Sequence, residues 1–236
     1  AAGASGDLIA IAWRDDRPGG TGGDWDVYMA ISTDGGASFA ERAAISTSDR
    51  DWDPECVVDA SGVIHLSCMT YRSSGITIDY FRSTDQGQSW DGPQTLSEAS
   101  SRFPFFAPDP YRGILWLFWK DERDGTAQDR QADIAGKCST DGGVTGGFHE
   151  FATALGTSEV KLPAFTVSPD GRVHALWSDQ RLAQEKIFVK SRLLADHVLV
   201  QDGLDLLRLR EPLHLLALFL GPLLHHDVVA KVDALV

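Results

Sequence analysis

The sequence predicts an all-β protein assembled from repeated four-stranded antiparallel sheets, and three signatures recurring in phase predict it. The first is an octet, Ser-x-Asp-x-Gly-x-Ser/Thr-aromatic, present as Ser32–Phe39 and Ser83–Trp90 and, in a third copy, from Ser139 to Thr145. The second is a segment ending in arginine: Trp13-Arg14-Asp15-Asp16-Arg17, Cys68-Met69-Thr70-Tyr71-Arg72, Trp119-Lys120-Asp121-Glu122-Arg123 and Trp177-Ser178-Asp179-Gln180-Arg181. The third is a proline opening an extended run, at Pro54, Pro104 and Pro163. Aspartates of successive octets stand 51 residues apart (Asp34 to Asp85) and then 56 (Asp85 to Asp141). A period of this length belongs to repeat architectures whose units cannot bury a core alone.

Each element of the unit has a local cause. Strand A begins at the proline and runs to a turn at Gly62, Gly113 or Gly171, with Gly6 in the equivalent place of the first unit. Strand B is the apolar run that ends in the Trp-x-Asp-x-Arg segment. A variable loop leads to strand C, read at Asp26–Ala30 and Ile78–Phe81, where apolar and polar residues alternate as in half-buried strands. The octet then turns the chain into strand D. Its Asp carboxylate can accept backbone N–H groups across the turn, its Gly permits positive φ, and its aromatic can pack back on the sheet. In the third copy Gly146 and Gly147 displace the aromatic to Phe148, which predicts a looser turn. Four short antiparallel strands per repeat describe a β-propeller blade.

About four blades are visible. The first unit reads as starting at strand B, without its own strand A, and the repeat stops at Lys190-Ser191-Arg192. Residues 193–236 hold 15 Leu against nine in 1–192, and no Ser, Thr, Trp, Tyr or Ile, so they form a separate Leu-rich segment. Three readings of that segment stay open. It forms short helices around Leu204–Leu209 and Leu213–Leu220, or strands that complete the ring, or it is the product of a different reading frame. An incomplete ring would leave room for oligomerisation.

Composition narrows the function. A hydrophobic share of 43% belongs to a globular chain, and a net charge of −13 argues against nucleic acid, whose binding rests on Lys and Arg. No stretch is apolar enough to predict a membrane span. Cys56, Cys68 and Cys138 are too few and odd in number for a disulfide framework. The seven histidines lack metal-ligand spacing, and His225-His226-Asp227 reads as a solvated stretch, so neither metal nor cofactor is expected. An extracellular or periplasmic location is the expectation for such a chain.

Meander topology then sorts the residues by face. The octets are C–D turns and lie at one end of the sheets, so Asp34, Asp85 and Asp141 are structural. The Trp-x-Asp-x-Arg ends lie at the other, with Asp16, Arg17, Tyr71, Arg72, Glu122, Arg123 and Arg181, and Arg102 arrives there from the start of a strand A. Residues repeated in every blade are expected to serve every blade: Asp15, Asp121 and Asp179 fix the loop with neighbouring arginines, and Trp13, Trp119 and Trp177 pack between sheets. Asp16, Tyr71 and Glu122 break the repeat and become the candidates for proton transfer and nucleophilic attack. Arg102 has two readings, a surface arginine or a clamp for an anionic group. Carboxylates and guanidiniums converging on one hollow fit a polar, anionic or polyhydroxyl ligand such as a glycan.

The octet is the Asp-box, and over about 1–192 the chain resembles the sialidase-like proteins. That resemblance implies a propeller glycoside hydrolase acting from the end of a glycan. It implies arginines that hold a substrate carboxylate, a Tyr nucleophile supported by Glu, and an Asp as acid/base, outside the usual two-carboxylate scheme. The family's Arg-Ile-Pro is matched most nearly by Arg102-Phe103-Pro104, which lies in mid-chain rather than near the start of the propeller. By this resemblance Asp16, Tyr71 and Glu122 are the catalytic candidates, and Arg17, Arg72, Arg102, Arg123 and Arg181 the substrate-binding ones. The rival is a non-catalytic propeller that binds glycan or protein through the same face, or a truncated propeller fragment.

Overall fold

In the computed structural model, residues 1–16, 25–45, 49–109, 111–123, 132–144, 149–152, 161–179 and 186–193 are described, all within one compact unit, Ala1–Leu199. The described residues form strands and turns only. The first sheet holds β1 (Ala2–Ser5), β2 (Leu8–Asp15), β3 (Asp26–Ser32) and β4 (Ala40–Ile45). The second holds β5 (Arg50–Val58), β6 (Ile64–Arg72), β7 (Gly75–Ser83) and β8 (Asp91–Thr95). The third holds β9 (Ser101–Asp109), β10 (Ile114–Asp121), β11 (Asp133–Ser139) and β12 (His149–Ala152). The last contributes three described strands, β13 (Lys161–Val167), β14 (Arg172–Asp179) and β15 (Lys186–Leu193). Each sheet is an antiparallel meander, so its successive strands are also neighbours. The Leu-rich segment beyond Leu193 lies outside the described residues.

One expectation needs correction. The first sheet has its own first strand: Ala2–Ser5 pairs with Leu8–Ile11, from Ala2↔Ile11 to Ser5↔Leu8. Four small residues, Ala-Gly-Ala-Ser, carry no alternation and no proline, so nothing in the sequence marked them. Their smallness has a use, because a Cβ on Gly3 would stand 2.6 Å from the Val57 Cα. The first strands of successive sheets, β1, β5, β9 and β13, lie against one another in that order. They are the inner strands of propeller blades.

The core lies between sheets rather than within them. Ala10, Met29 and Ile31 of the first sheet meet Cys56, Leu66 and Phe81 of the second. Met69, Ile78 and Tyr80 of the second meet Leu115, Leu117 and Trp119 of the third. Trp116, Phe118 and Ile134 of the third meet Val173, Ala175 and Trp177 of the fourth. Trp119 and Trp177 are therefore inter-sheet residues, as the repeat predicted. Trp13 instead stays half-buried, stacked on Tyr28 of its own sheet at 6.4 Å. The three cysteines are buried and free in these layers.

The octets build one turn three times, and serine is its centre. The buried Ser83 Oγ accepts the Gly87 N–H at 2.8 Å and donates to Asp85 Oδ1 at 2.7 Å. Asp85 in turn accepts the Ser89 N–H at 2.9 Å and its hydroxyl at 2.5 Å. Ser32, Asp34 and Ser38 repeat this, and Ser139 with Asp141 repeats its first half. Thr145 and Phe148, the divergent part of the third copy, lie outside the described residues. Trp90 rests against the layer between the first two sheets, whereas Phe39, with no described sheet over it, is 45% exposed.

Two stability effects follow. Ser83→Ala strands the buried Gly87 N–H and is expected to destabilise by about 1–3 kcal/mol, read from denaturant melts, while leaving ligand affinity intact. A loss of affinity at unchanged stability would contradict the placement of this turn away from the site. Acid is the second probe. Hydrogen bonds from Ser38 and Ser32, and from Ser89 and Ser83, hold the Asp34 and Asp85 carboxyls down at about 2. A carboxyl whose folded pKa lies below its unfolded value of 3.8 adds stability above that pH and loses it as pH falls toward 2. Thermal melts between pH 5 and pH 2 should show stability falling through that window, and falling slightly less in Asp34→Asn/Asp85→Asn, a small difference because both groups are exposed.

Candidate active site

The octet turns and the β1–β2, β5–β6 and β9–β10 turns share one end of the sheets, and the opposite end collects the strand termini that carry the candidates. Tyr71 and Arg72 end β6, Arg102 is the second residue of β9, and Glu122 follows β10. Register sets their level: Arg50 faces Tyr71 across β5–β6, and Ser101 faces Asp121 across β9–β10. Because β6 and β9 of adjacent sheets lie together, their ends converge.

Three of the unrepeated residues meet there. Arg102 Nε donates to Glu122 Oε2 at 2.7 Å, and Arg102 Nη1 donates to Tyr71 Oη at 3.3 Å. Lys120 Nζ lies 2.9 Å from the other oxygen, Glu122 Oε1. Burial pushes the Glu122 carboxyl up, but hydrogen bonds from Lys120 and Arg102 outweigh it, leaving the group below its ordinary value. Glu122 is thus an anion that orients a guanidinium, and the guanidinium in turn points at a phenol.

The recurring proline explains how Arg102 reaches this place. Register shifts across Trp52/Glu55 in β5, across Arg102/Phe105 in β9 and across Lys161/Ala164 in β13 show a bulge at each Pro. Proline has no N–H for the ladder, and an extra residue bends the strand and re-aims its side chains. Asp53 and Phe103, the residues before two of these prolines, adopt φ of 47° and 53°. The Phe103 N–H, out of the ladder, meets Met69 Sδ at 3.1 Å on the adjacent sheet. Trp52 and Arg102 hold the same place, two residues before Pro, in adjacent blades.

That equivalence exposes a second group. The Trp52 ring lies 5.0 Å from Tyr71 and 6.1 Å from Trp25, centroid to centroid. The Arg14 guanidinium lies 4.4 Å from the Trp52 centroid and 5.0 Å from that of Trp25, an attraction to the ring faces. Its ion pair is Asp53, at 3.8 Å. Sequence reasoning passed over Arg14, Trp25, Trp52 and Lys120; the usable signal was that Trp52, like Arg102, departs from its repeat.

The other arginines are engaged within their own blades or lie elsewhere. Arg72 binds Asp79 and Thr77 of β7, and its Nε is 3.4 Å from Asp49. Arg123 Nε donates to both Asp121 oxygens at 2.9 and 2.8 Å, and its Nη1 to Glu98 at 2.9 Å. The Asp121–Arg123 pair is the loop-fixing role expected of the repeat. Asp16, exposed beyond β2, holds in the first blade the place that Tyr71 and Glu122 hold in the next two. Arg17 and Arg181 lie outside the described residues. Below this rim a cavity of about 330 Å³ opens between inner strands, lined by Asp53–Glu55 and Phe103–Phe105 among others. Burial pushes the Glu55 carboxyl up, against the opposing pull of the Ala1 ammonium. Among the described residues no group of three or more His, Cys, Asp or Glu could hold a metal ion.

Comparison with known proteins places this arrangement among propeller folds. No protein family and no curated protein matches the sequence. Among solved structures, a protein of unknown function from Dyadobacter fermentans aligns with TM-score 0.58 at 15% identity, over 78% of this chain and 62% of that one. The Hadza microbial sialidase Hz136 aligns with TM-score 0.57 at 16% identity, over 81% of this chain and 43% of that one. The GH93 α-L-arabinofuranosidase of Fusarium graminearum, solved with arabinobiose, aligns with TM-score 0.55 at 14% identity, over 78% and 58%. The chain thus spans less than two thirds of each of these proteins. The likeness is one of fold: blades of antiparallel strands, shared with glycoside hydrolases of differing specificity.

Proposed function

We propose that this chain carries the site of a sialidase-type glycoside hydrolase that removes a terminal anionic sugar. The observation that carries this reading is the convergence of Tyr71, Arg102 and Glu122 from two adjacent blades. Arg102 takes the substrate carboxylate. It enters by competing for a guanidinium already shared between Glu122 and Tyr71, so binding loosens the phenol from its arginine. Tyr71 Oη then attacks the anomeric carbon, its proton passing to Glu122, and the glycosidic bond breaks. Asp16, at the same position in the neighbouring blade, protonates the departing oxygen. Water then releases the sugar from Tyr71, with Asp16 accepting the water's proton and Glu122 returning its own to the departing Tyr71 oxygen. Arg72 and Arg123 frame the rim with their carboxylates, and Arg17 and Arg181 belong to the same repeat position.

A second reading, a non-catalytic glycan-binding propeller, is favoured by one observation: Arg72 and Arg123 are both held by acidic partners of their own blades. A fluorogenic panel of terminal sialosides and arabinosides, run beside calorimetric titration of the free sugars, separates the two. Sialoside turnover supports the hydrolase. Binding without turnover supports the second reading, and arabinoside turnover alone would replace the substrate class.

A further inference from the structure

We propose that Arg14, Trp25 and Trp52 form a second subsite, beside Tyr71, that takes an acidic residue of a longer glycan. The inference rests on the proposed hydrolase site and extends it by one sugar along the chain.

Position comes first. Trp52 packs 5.0 Å from Tyr71 and carries the Arg14 guanidinium over its ring, so a sugar met by Arg14 is the immediate neighbour of one whose anomeric carbon faces the Tyr71 oxygen. Trp25 continues the aromatic surface toward the first blade. An aromatic wall with a few polar groups, here the two indoles with the Arg14 guanidinium laid over them, is the usual form of such sites.

Inter-sheet packing accounts for these residues only in part: Trp52 rests against the layer between the second and third sheets, and Trp25 belongs to none of the three core layers formed by the described residues. Trp119 and Trp177, which do pack between sheets, are almost completely buried, whereas Trp25 and Trp52 remain half-buried at the rim. Neither recurs at its place in the other blades.

The chemistry of the guest follows from Arg14. Arg72 and Arg123 are each locked to a close carboxylate. Arg14 is 39% exposed, and its ion pair with the equally exposed Asp53 is long, at 3.8 Å. Such a pair is weak and readily exchanged. The two indoles hold the guanidinium in place, so little ordering is needed before it meets a carboxylate or sulfate. Arg14 and Arg102 therefore stand on either side of the Trp52–Tyr71 pair, and they suit two acidic groups on successive sugars.

The test compares α2,8-linked disialic acid with 3′-sialyllactose, which share a terminal acid and differ in the charge of the second residue. Calorimetry on the Tyr71→Phe protein avoids turnover. Disialic acid is expected to bind roughly ten-fold or more tightly than sialyllactose, the scale of one charge-assisted contact. Adding Arg14→Ala should remove that preference, and Arg14→Lys should restore part of it, while adding Arg102→Ala weakens both ligands. A melting curve of each variant shows that it remains folded. Equal affinities before Arg14 is changed, or a preference that survives Arg14→Ala, would overturn the subsite and leave the hydrolase reading standing. An equal loss for both ligands on Arg14→Ala would assign Arg14 to packing and also overturn it. If neither compound binds, the sialoside reading falls and the subsite with it.

Discussion

Replacing Tyr71 by Phe is expected to lower sialoside turnover on the order of a thousand-fold or more while leaving ground-state binding close to that of the unaltered protein. The change removes one oxygen, the one that Arg102 Nη1 approaches at 3.3 Å. It leaves the ring packed against Trp52. A pure binding role for Tyr71 predicts a different pattern, in which affinity drops by at most one hydrogen bond and any turnover falls in proportion. Steady-state kinetics beside calorimetry distinguishes them. Turnover untouched by Tyr71→Phe would remove the nucleophile from the scheme.

Arg102→Ala is expected to have the next largest effect, weakening binding of an anionic sugar about ten- to a hundred-fold, as loss of a charge-assisted pair should. The same change frees Glu122, which keeps only Lys120 among its two cations. Arg102→Lys should recover little, because one ammonium cannot reproduce the planar fork that spans Glu122 and Tyr71. Arg72→Ala offers the contrast. Its guanidinium holds the nearly buried Asp79, so its loss should appear as instability before it appears as lost affinity. Calorimetry and melting curves on the three variants give both numbers. Equal losses of affinity in Arg102→Ala and Arg72→Ala, at equal stability, would make Arg72 a second clamp.

How far the sequence could be read depended on the range of each interaction. The octet lies within eight residues, and its Ser, Asp and Gly meet one another inside a single turn, so local pattern sufficed. The meander followed from the repeat, and with it the face on which Tyr71, Arg102 and Glu122 would lie. Their meeting also needed the bulge before Pro104, and there the sequence misled by degree: the proline read as a strand start, whereas β9 begins at Ser101 and bends at the proline. The β1 strand escaped notice because Ala-Gly-Ala-Ser has no periodicity, and only contact with Val57 gives its glycine a meaning. Arg14, Trp25 and Trp52 come from two blades, and their stacking depends on inter-blade distance, which no local pattern encodes. The Arg72–Asp79 and Arg123–Glu98 contacts were hidden similarly, since Asp79 and Glu98 come from other strands and loops, whereas Asp121 and Arg123 lie two residues apart and their pairing was legible.

A fluorinated sialosyl fluoride, which reacts with a glycosidase nucleophile and departs slowly, tests the central claim most directly. The protein is treated with this reagent, digested, and its peptides are sequenced by mass spectrometry. The account predicts one sugar adduct, on the peptide holding Tyr71 and at that tyrosine, absent after Tyr71→Phe and slowed after Arg102→Ala. A sugar attached at another residue, or sialoside turnover with no adduct on Tyr71, would contradict it.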